Sequence, residues 1–187
     1  MGLDMYLNSS RKLDEADKNA IDYLDSLNIP DEDFQEGYGF YLASWDEDEY
    51  AIRTKLTELL PNEGGEIQRI NREDGQWTIG VEVGYWRKAN QIHNWFVANV
   101  QNGEDECRPH TVTTDHLNRL LQDVTDVLKD KSTAADLLPT TSGFFFGGTE
   151  YDNWYFEDLQ FTKELLTKLV EDATFLETHQ IQYCSSW

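Results

Sequence analysis

The chain has little cysteine, little positive charge and no long apolar run, and each shortage narrows what it can be. Only Cys107 and Cys184 occur in 187 residues, so no disulfide framework is available and a reducing compartment is expected. No stretch approaches the roughly 18 consecutive apolar residues of a membrane span, so no membrane partner is expected. The N-terminus Met1-Gly2-Leu3-Asp4-Met5 lacks the basic and apolar regions of a secretory leader. Met1-Gly2 opens like a myristoylation signal, but Tyr6 stands where that signal needs Ser or Thr. Lys and Arg number 15 against 36 acidic residues, for a net charge of −21. That balance argues against direct binding to a nucleic-acid backbone, which needs clustered bases. Nucleophile elbow, GxGxxG, HExxH, CxxC and P-loop patterns are all missing. A binding protein is therefore expected ahead of an enzyme, with no cofactor and no catalytic residue assigned.

What is present is charge and rings. Six Trp, nine Tyr and nine Phe can bury a large area in one core. Residues 1–63 carry 16 acids and 5 bases, residues 64–103 four of each, and residues 104–187 16 acids and 6 bases. The neutral middle also holds three of the six Trp. Acidic runs at Asp31, Glu32 and Asp33 and at Asp46, Glu47, Asp48 and Glu49 make these the candidate partner-binding residues, carboxylates standing where a partner expects phosphates.

Periodicity gives a mixed order of elements. Leu3, Met5 and Leu7 alternate as a strand, and residues 13–27 read as an amphipathic helix. Residues 30–43 read as a loop holding Pro30, Gly37 and Gly39, with a short strand near Tyr38–Leu42. Ser44 and Glu47 have capping-box spacing before a helix that stops at Pro61. Two strands around Asp74-Gly75 read as a hairpin, the second carrying Trp77, Ile79, Val81, Val83 and Tyr85 in alternation. Gly84 is read as a bulge or bend, and a helix is expected over 86–100. A short extended stretch at 108–112 precedes a helix capped by Thr113 or Thr114. Residues 132–138 add a turn of helix, and Gly143 to Gly148 form a short strand or a tight loop. A long helix is expected from Tyr151 to about Ala173, with Thr149 as N-cap and Asp152 at N3, and Ile181, Tyr183 and Trp187 close the chain as a strand. The fold class is α+β: a mostly antiparallel sheet with N- and C-terminal strands, packed by four to five helices. One domain is expected over 1–187.

Two segments hold the candidate ligand groups. In Trp86-Arg87-Lys88-Ala89-Asn90-Gln91-Ile92-His93 a strand runs into a helix, where unpaired N–H groups and two cations suit an anion. Trp86, Arg87, Lys88, Asn90 and His93 are the candidates there. On a helical wheel His93 falls in the apolar arc, so it needs either an internal partner or a ligand. In the second segment Tyr151 and Asp152 begin a helix after a glycine-rich turn; helix initiation is the simpler reading, and exposed rings there form a binding surface in the other. Cys107, His110 and His116 are metal-ligand types, but their spacing matches no common zinc module. Glu150 with Asp152, and Glu157 with Asp158, are pairs that so acidic a chain produces by chance.

Four stretches, GLDMYL at Gly2–Leu7, GYWRKANQIHNWFV at Gly84–Val97, LPTTSGFFFGGTEYDNWYFEDL at Leu138–Leu159 and SSW at Ser185–Trp187, resemble a family of small proteins encoded by bacteriophages and prophages. They cover about a quarter of the chain; residues 8–75 match less well and look like its variable part. The resemblance brings no activity with it. It implies a phage-encoded protein acting in the host cytoplasm, with both termini and both central motifs in one unit, and the terminal strands side by side. The leading expectation is an accessory protein that binds and blocks a host protein, in defence or nucleic-acid handling, through an acidic surface. The alternative is a module for a nucleotide or other small anionic ligand built on the Trp86–His93 segment. A virion component is a third reading, for which no coiled-coil or collagen-like tract speaks.

Overall fold

A computed structural model describes residues 2–34 and 39–187. Met1, and the Gly37 and Tyr38 part of the expected loop, lie outside them. The described strands are β1 (Asp4–Lys12), β2 (Phe40–Tyr41), β3 (Ile67–Glu73), β4 (Gln76–Arg87), β5 (His110–Val112) and β6 (Gln180–Ser186). The described α-helices are α1 (Lys18–Ser26), α2 (Glu47–Leu59), α3 (Asn90–Asn99), α4 (Thr114–Lys129), α5 (Ala134–Leu137), α6 (Asn153–Glu171) and α7 (Ala173–Thr178). Five of the seven have nine residues or more, which matches the expected number; α5 and α7 are single short turns.

The strands form one sheet in the order β2-β3-β4-β1-β6-β5. The fold is thus α+β, and the two terminal strands are neighbours in the sheet. Pairs β2–β3, β3–β4 and β5–β6 are antiparallel. The β3–β4 hairpin turns at Asp74 and Gly75, with φ of 50° and 77°, the doubly positive pair that a two-residue turn requires.

The chain divides into two compact units, one of Asn8–Val83 and one of Met1–Leu7 with Gly84–Trp187. The four stretches that carry the phage resemblance all fall in the second of these. The boundaries lie inside β1 and β4. In β4 the buried positions are Trp77, Ile79 and Val81 up to the boundary, then Gly84 and Trp86 beyond it, so the alternation changes phase between Val81 and Gly84.

In the Asn8–Val83 unit, α1 and α2 bury Leu24 and Leu56 with Ile67, Ile70, Trp77 and Ile79. Arg11 grips two carboxylates at once: its guanidinium donates to Asp17 at 2.6 and 3.0 Å and to Glu63 at 2.6 and 2.8 Å. Residues 15–17 form a 3-10 turn before α1, so the helix is shorter than its periodicity predicts. Asp46, not Ser44, caps α2, accepting from Asp48 and Glu49 N–H at 3.0 Å. Its carboxylate reaches the N2 and N3 donors itself, and the Ser44–Glu47 capping box does not form.

In the other unit, α4 packs on α6, and Phe96 of α3 stacks on Tyr183 of β6 with ring centroids 4.0 Å apart. Thr113 caps α4 as expected, with His116 returning the bond as N3 partner. The strand does not end at Gly84: β4 continues to Arg87, and α3 begins only at Asn90, not at 86. A Cβ on Gly84 would sit 2.5 Å from Leu165 Cδ2 of α6, so the missing side chain serves close packing. Residues 143–148 are a tight loop without strand. Asp152 rather than Thr149 is the N-cap of α6, accepting from Tyr155 N–H at 3.1 Å.

Candidate functional site

Because β4 runs on to Arg87, strand alternation decides the fate of the first candidates. Trp86 points inward, fully buried, with its indole N–H donated to Thr162 Oγ1 at 2.9 Å. Arg87 points outward, and among the described residues only the Asp4 carboxylate comes within ion-pair distance of its guanidinium, at 3.9 Å. Neither belongs to a helical first turn, as 86–100 predicts. At Lys88 the chain turns from strand to helix with φ of 60°, a conformation that disfavours a residue with a Cβ. Its N–H is held by Leu3 C=O at 2.8 Å, while its ammonium has no ion-pair partner among the described residues.

Asn90, the first residue of α3, anchors the glycine-rich loop. Its amide donates to Phe146 C=O at 3.1 Å and Gly148 C=O at 2.7 Å, and its carbonyl accepts from Thr141 N–H at 3.0 Å. Leu3 N–H adds a bond to Phe145 C=O at 3.1 Å. So held, the loop passes close to Lys88: a Cβ on Gly147, where φ is 88°, would lie 3.1 Å from Lys88 Cβ. With Asn90's hydrogen-bonding groups engaged in this way, its side chain positions the loop.

These elements enclose a cleft of about 330 Å³, at the small end of the range for ligand pockets. Its cations are Arg87 and Lys88, and its carboxylates are Glu150, Asp152 and Asp158. Gln91 lines it from α3 and is itself buried, with its amide 3.3 Å from Asp158 Oδ2. Trp154, three-quarters exposed, lines it from the first turn of α6. Burial pushes the Asp158 carboxyl up to about 6; the Gln91 bond opposes this, and the charges of Glu157 and Asp152 reinforce it. No basic side chain pairs with Asp158 among the described residues. Tyr155 is buried at the cleft with its hydroxyl donated to Leu138 C=O at 2.9 Å, and burial holds its phenol far above the usual range. Perturbed carboxyls of this kind, in a concave site, mark candidate functional groups.

The remaining candidates lie elsewhere or serve structure. His93 is buried off the cleft, with Nδ1 2.7 Å from Tyr183 hydroxyl and Nε2 3.1 Å from Asp105 Oδ2. A carboxylate only accepts, so Nε2 carries the proton and Nδ1 accepts from Tyr183 in the neutral ring. This is the core histidine with internal partners. Tyr151 is partly exposed, its ring edge-on to Tyr155, and Asp152 both caps α6 and lines the cleft. Asp31, Glu32 and Asp33 form an exposed 3-10 turn. Asp46, Glu47 and Asp48 are exposed, whereas Glu49 is half-buried and accepts from Ala43 N–H at 2.8 Å. His110 meets Glu106 at 2.7 Å and His116 caps α4. Among the described residues no three His, Cys, Asp or Glu side chains gather as a metal site, and no helix is long and apolar enough to cross a membrane.

The neutral middle does not survive as a body of its own. Its residues are divided at 83/84 between the two units, and both units are acidic: 19 acids against 7 bases in Asn8–Val83, and 17 against 8 in the other. Its three tryptophans are all buried, each indole N–H taken by an internal acceptor: Asp25, Thr162 and Asp123 for Trp77, Trp86 and Trp95. The exposed rings are others, Trp45, Phe144 and Trp154 foremost.

Sequence reasoning missed Gln91 and treated Asp158 as one of a chance pair. The signal for Gln91 was a second amide beside Asn90 at the start of the helix. Asp158 had no local signal, since its partner Gln91 lies far from it in the sequence. Comparison with known proteins finds no matching family model, no similar curated protein and no similar solved structure, so the functional argument rests on these residues.

Proposed function

We propose that the chain is a small-ligand-binding module whose cleft holds an anionic group of its ligand on Arg87 and Lys88. The observation that carries this is Lys88. A lysine stands in a left-handed conformation at a strand-to-helix junction, and its ammonium has no ion-pair partner among the described residues of a strongly acidic chain. Backbone strain at a non-glycine residue is a mark of functional positions. The ordered loop, the buried amide of Gln91 and the rim at Trp154 supply the concavity and the ring that a small polar ligand needs. The phage resemblance supports a role in a host cytoplasm.

Thermal unfolding with inorganic phosphate, AMP and small dicarboxylates tests the proposal. A ligand at a hundredfold excess over its dissociation constant should stabilise by about 2.7 kcal/mol. The shift should vanish in Arg87→Ala and shrink strongly in Lys88→Gly. If no anion raises the melting temperature, or if Arg87→Ala keeps the full shift, the proposal fails.

A second reading keeps the acidic surface as a docking face for a host protein. It is favoured by one observation: Trp45, with four-fifths of its surface exposed, sits directly before the exposed Asp46, Glu47 and Asp48. Such binding should weaken steeply with salt; a complex that survives high salt would remove the mimicry mechanism.

A further inference from the structure

We propose that the ligand of this cleft is a small zwitterion, with its anionic group on Arg87 and Lys88 and a positively charged nitrogen on the carboxylate of Asp158. The inference rests on the cleft binding small molecules at all, and adds the second half of the ligand's charge. Two observations carry it. The cleft brings two cations and three carboxylates into one lining, yet no pair of opposite charge among them closes to ion-pair distance. Arg87 has only Asp4 nearby, and Lys88 and Asp158 have no ion-pair partner among the described residues. In a volume of about 330 Å³, unpaired charges of both signs complement a molecule that carries both.

The groups around Asp158 point the same way. Gln91 of α3 offers its amide at 3.3 Å, a long contact that leaves most of the carboxylate's accepting capacity unused. Glu157 on its own helix, Asp152 at the cap and Glu150 in the loop are all acidic. Arg87 and Lys88 are the cations of the lining. A purely anionic ligand gains from those two and is repelled by the three carboxylates. An ammonium turns that repulsion into attraction, and the exposed face of Trp154 adds a surface that cations favour. Burial holds part of the Asp158 population protonated near pH 6, so a bound cation must compete with a proton for this carboxylate.

Calorimetric titration separates the possibilities. The zwitterions 4-aminobutyrate and 5-aminovalerate are compared with succinate and inorganic phosphate as anions and putrescine as a cation, each at pH 5.0 and 7.5. The zwitterions should bind at least tenfold more tightly than any single-sign probe, and 4-aminobutyrate should tighten several-fold from pH 5.0 to 7.5 as Asp158 ionises. Asp158→Asn should abolish that pH dependence and weaken the zwitterions to the level of the anions, while phosphate, relieved of one repelling charge, should bind more tightly than to the unaltered chain. Anions that bind as well as the zwitterions would overturn the inference and leave the anion-binding proposal standing. Silence from every probe would overturn both. Asp158→Asn is isosteric, and Lys88→Gly serves as a second variant that should weaken zwitterions and anions alike.

Discussion

Lys88 and Asp158 are each held in a state that an isolated residue avoids, one by backbone and one by burial. A left-handed conformation costs a residue with a Cβ about 1–2 kcal/mol, and glycine adopts it freely at the expense of unfolded-state entropy. Lys88→Gly should therefore leave stability unchanged or raise it by up to about 1 kcal/mol, measured by urea unfolding, while anion binding falls. Asp158 has the opposite sign to most carboxylates. Its pKa is higher in the folded than in the unfolded chain, so its contribution to stability is complete below about pH 4. That contribution is lost as pH rises to about 6. Asp158→Asn should flatten this part of the stability profile and leave the mutant relatively more stable at pH 7. Asp17 runs the other way: its bond to Arg11, reinforced by the Asp14 backbone, holds its carboxyl below the usual range. Its stabilisation is present above the normal aspartate pKa and disappears as pH falls through the lowered one. Arg11→Ala removes the guanidinium that bridges Asp17 and the buried Glu63 and should cost about 3 kcal/mol in the same measurement.

The order of strands and helices was largely legible, because periodicity and turn chemistry are local. Asp74-Gly75 gave the hairpin, Thr113 the start of α4, and Pro61 the end of the α2 region. The misreadings cluster where tertiary packing overrides local pattern. Gly84 reads as a bulge or bend before a helix, yet β4 passes through it to Arg87, with α6 packed where a Cβ would stand. That one difference moves Trp86 and Arg87 from a helix to a strand and puts them on opposite sides of the chain. Of the candidate cleft, Arg87, Lys88 and Asp152 were legible; Gln91 and Asp158 were not, since their environment comes from segments some 67 residues apart. The N-caps show the same limit at smaller scale: Ser44 and Thr149 have suitable chemistry, but Asp46 and Asp152 take the positions. Asp46→Ala should cost about 1 kcal/mol by thermal unfolding, whereas Asp31→Asn, on an exposed turn, should change stability by less than about 0.5 kcal/mol. A large loss at Asp31 would show that its carboxylate is structural.

Across the molecule, negative charge is shared by both units, with net −12 in Asn8–Val83 and −9 in the other. Against that background two adjacent cations in one cleft, with the chain bent at the second to present it, are the strongest departure from what solubility alone requires. Nuclear magnetic resonance of the backbone and indole N–H groups, titrated with 4-aminobutyrate at pH 7.5, reads the location of binding without assuming it. The expected result is saturable shifts confined to Lys88, Gln91, Gly147, Gly148, the Trp154 indole and Asp158. Shifts scattered over the acidic turns at Asp31–Asp33 and Asp46–Glu49, or none at millimolar ligand, would contradict a ligand site in the cleft.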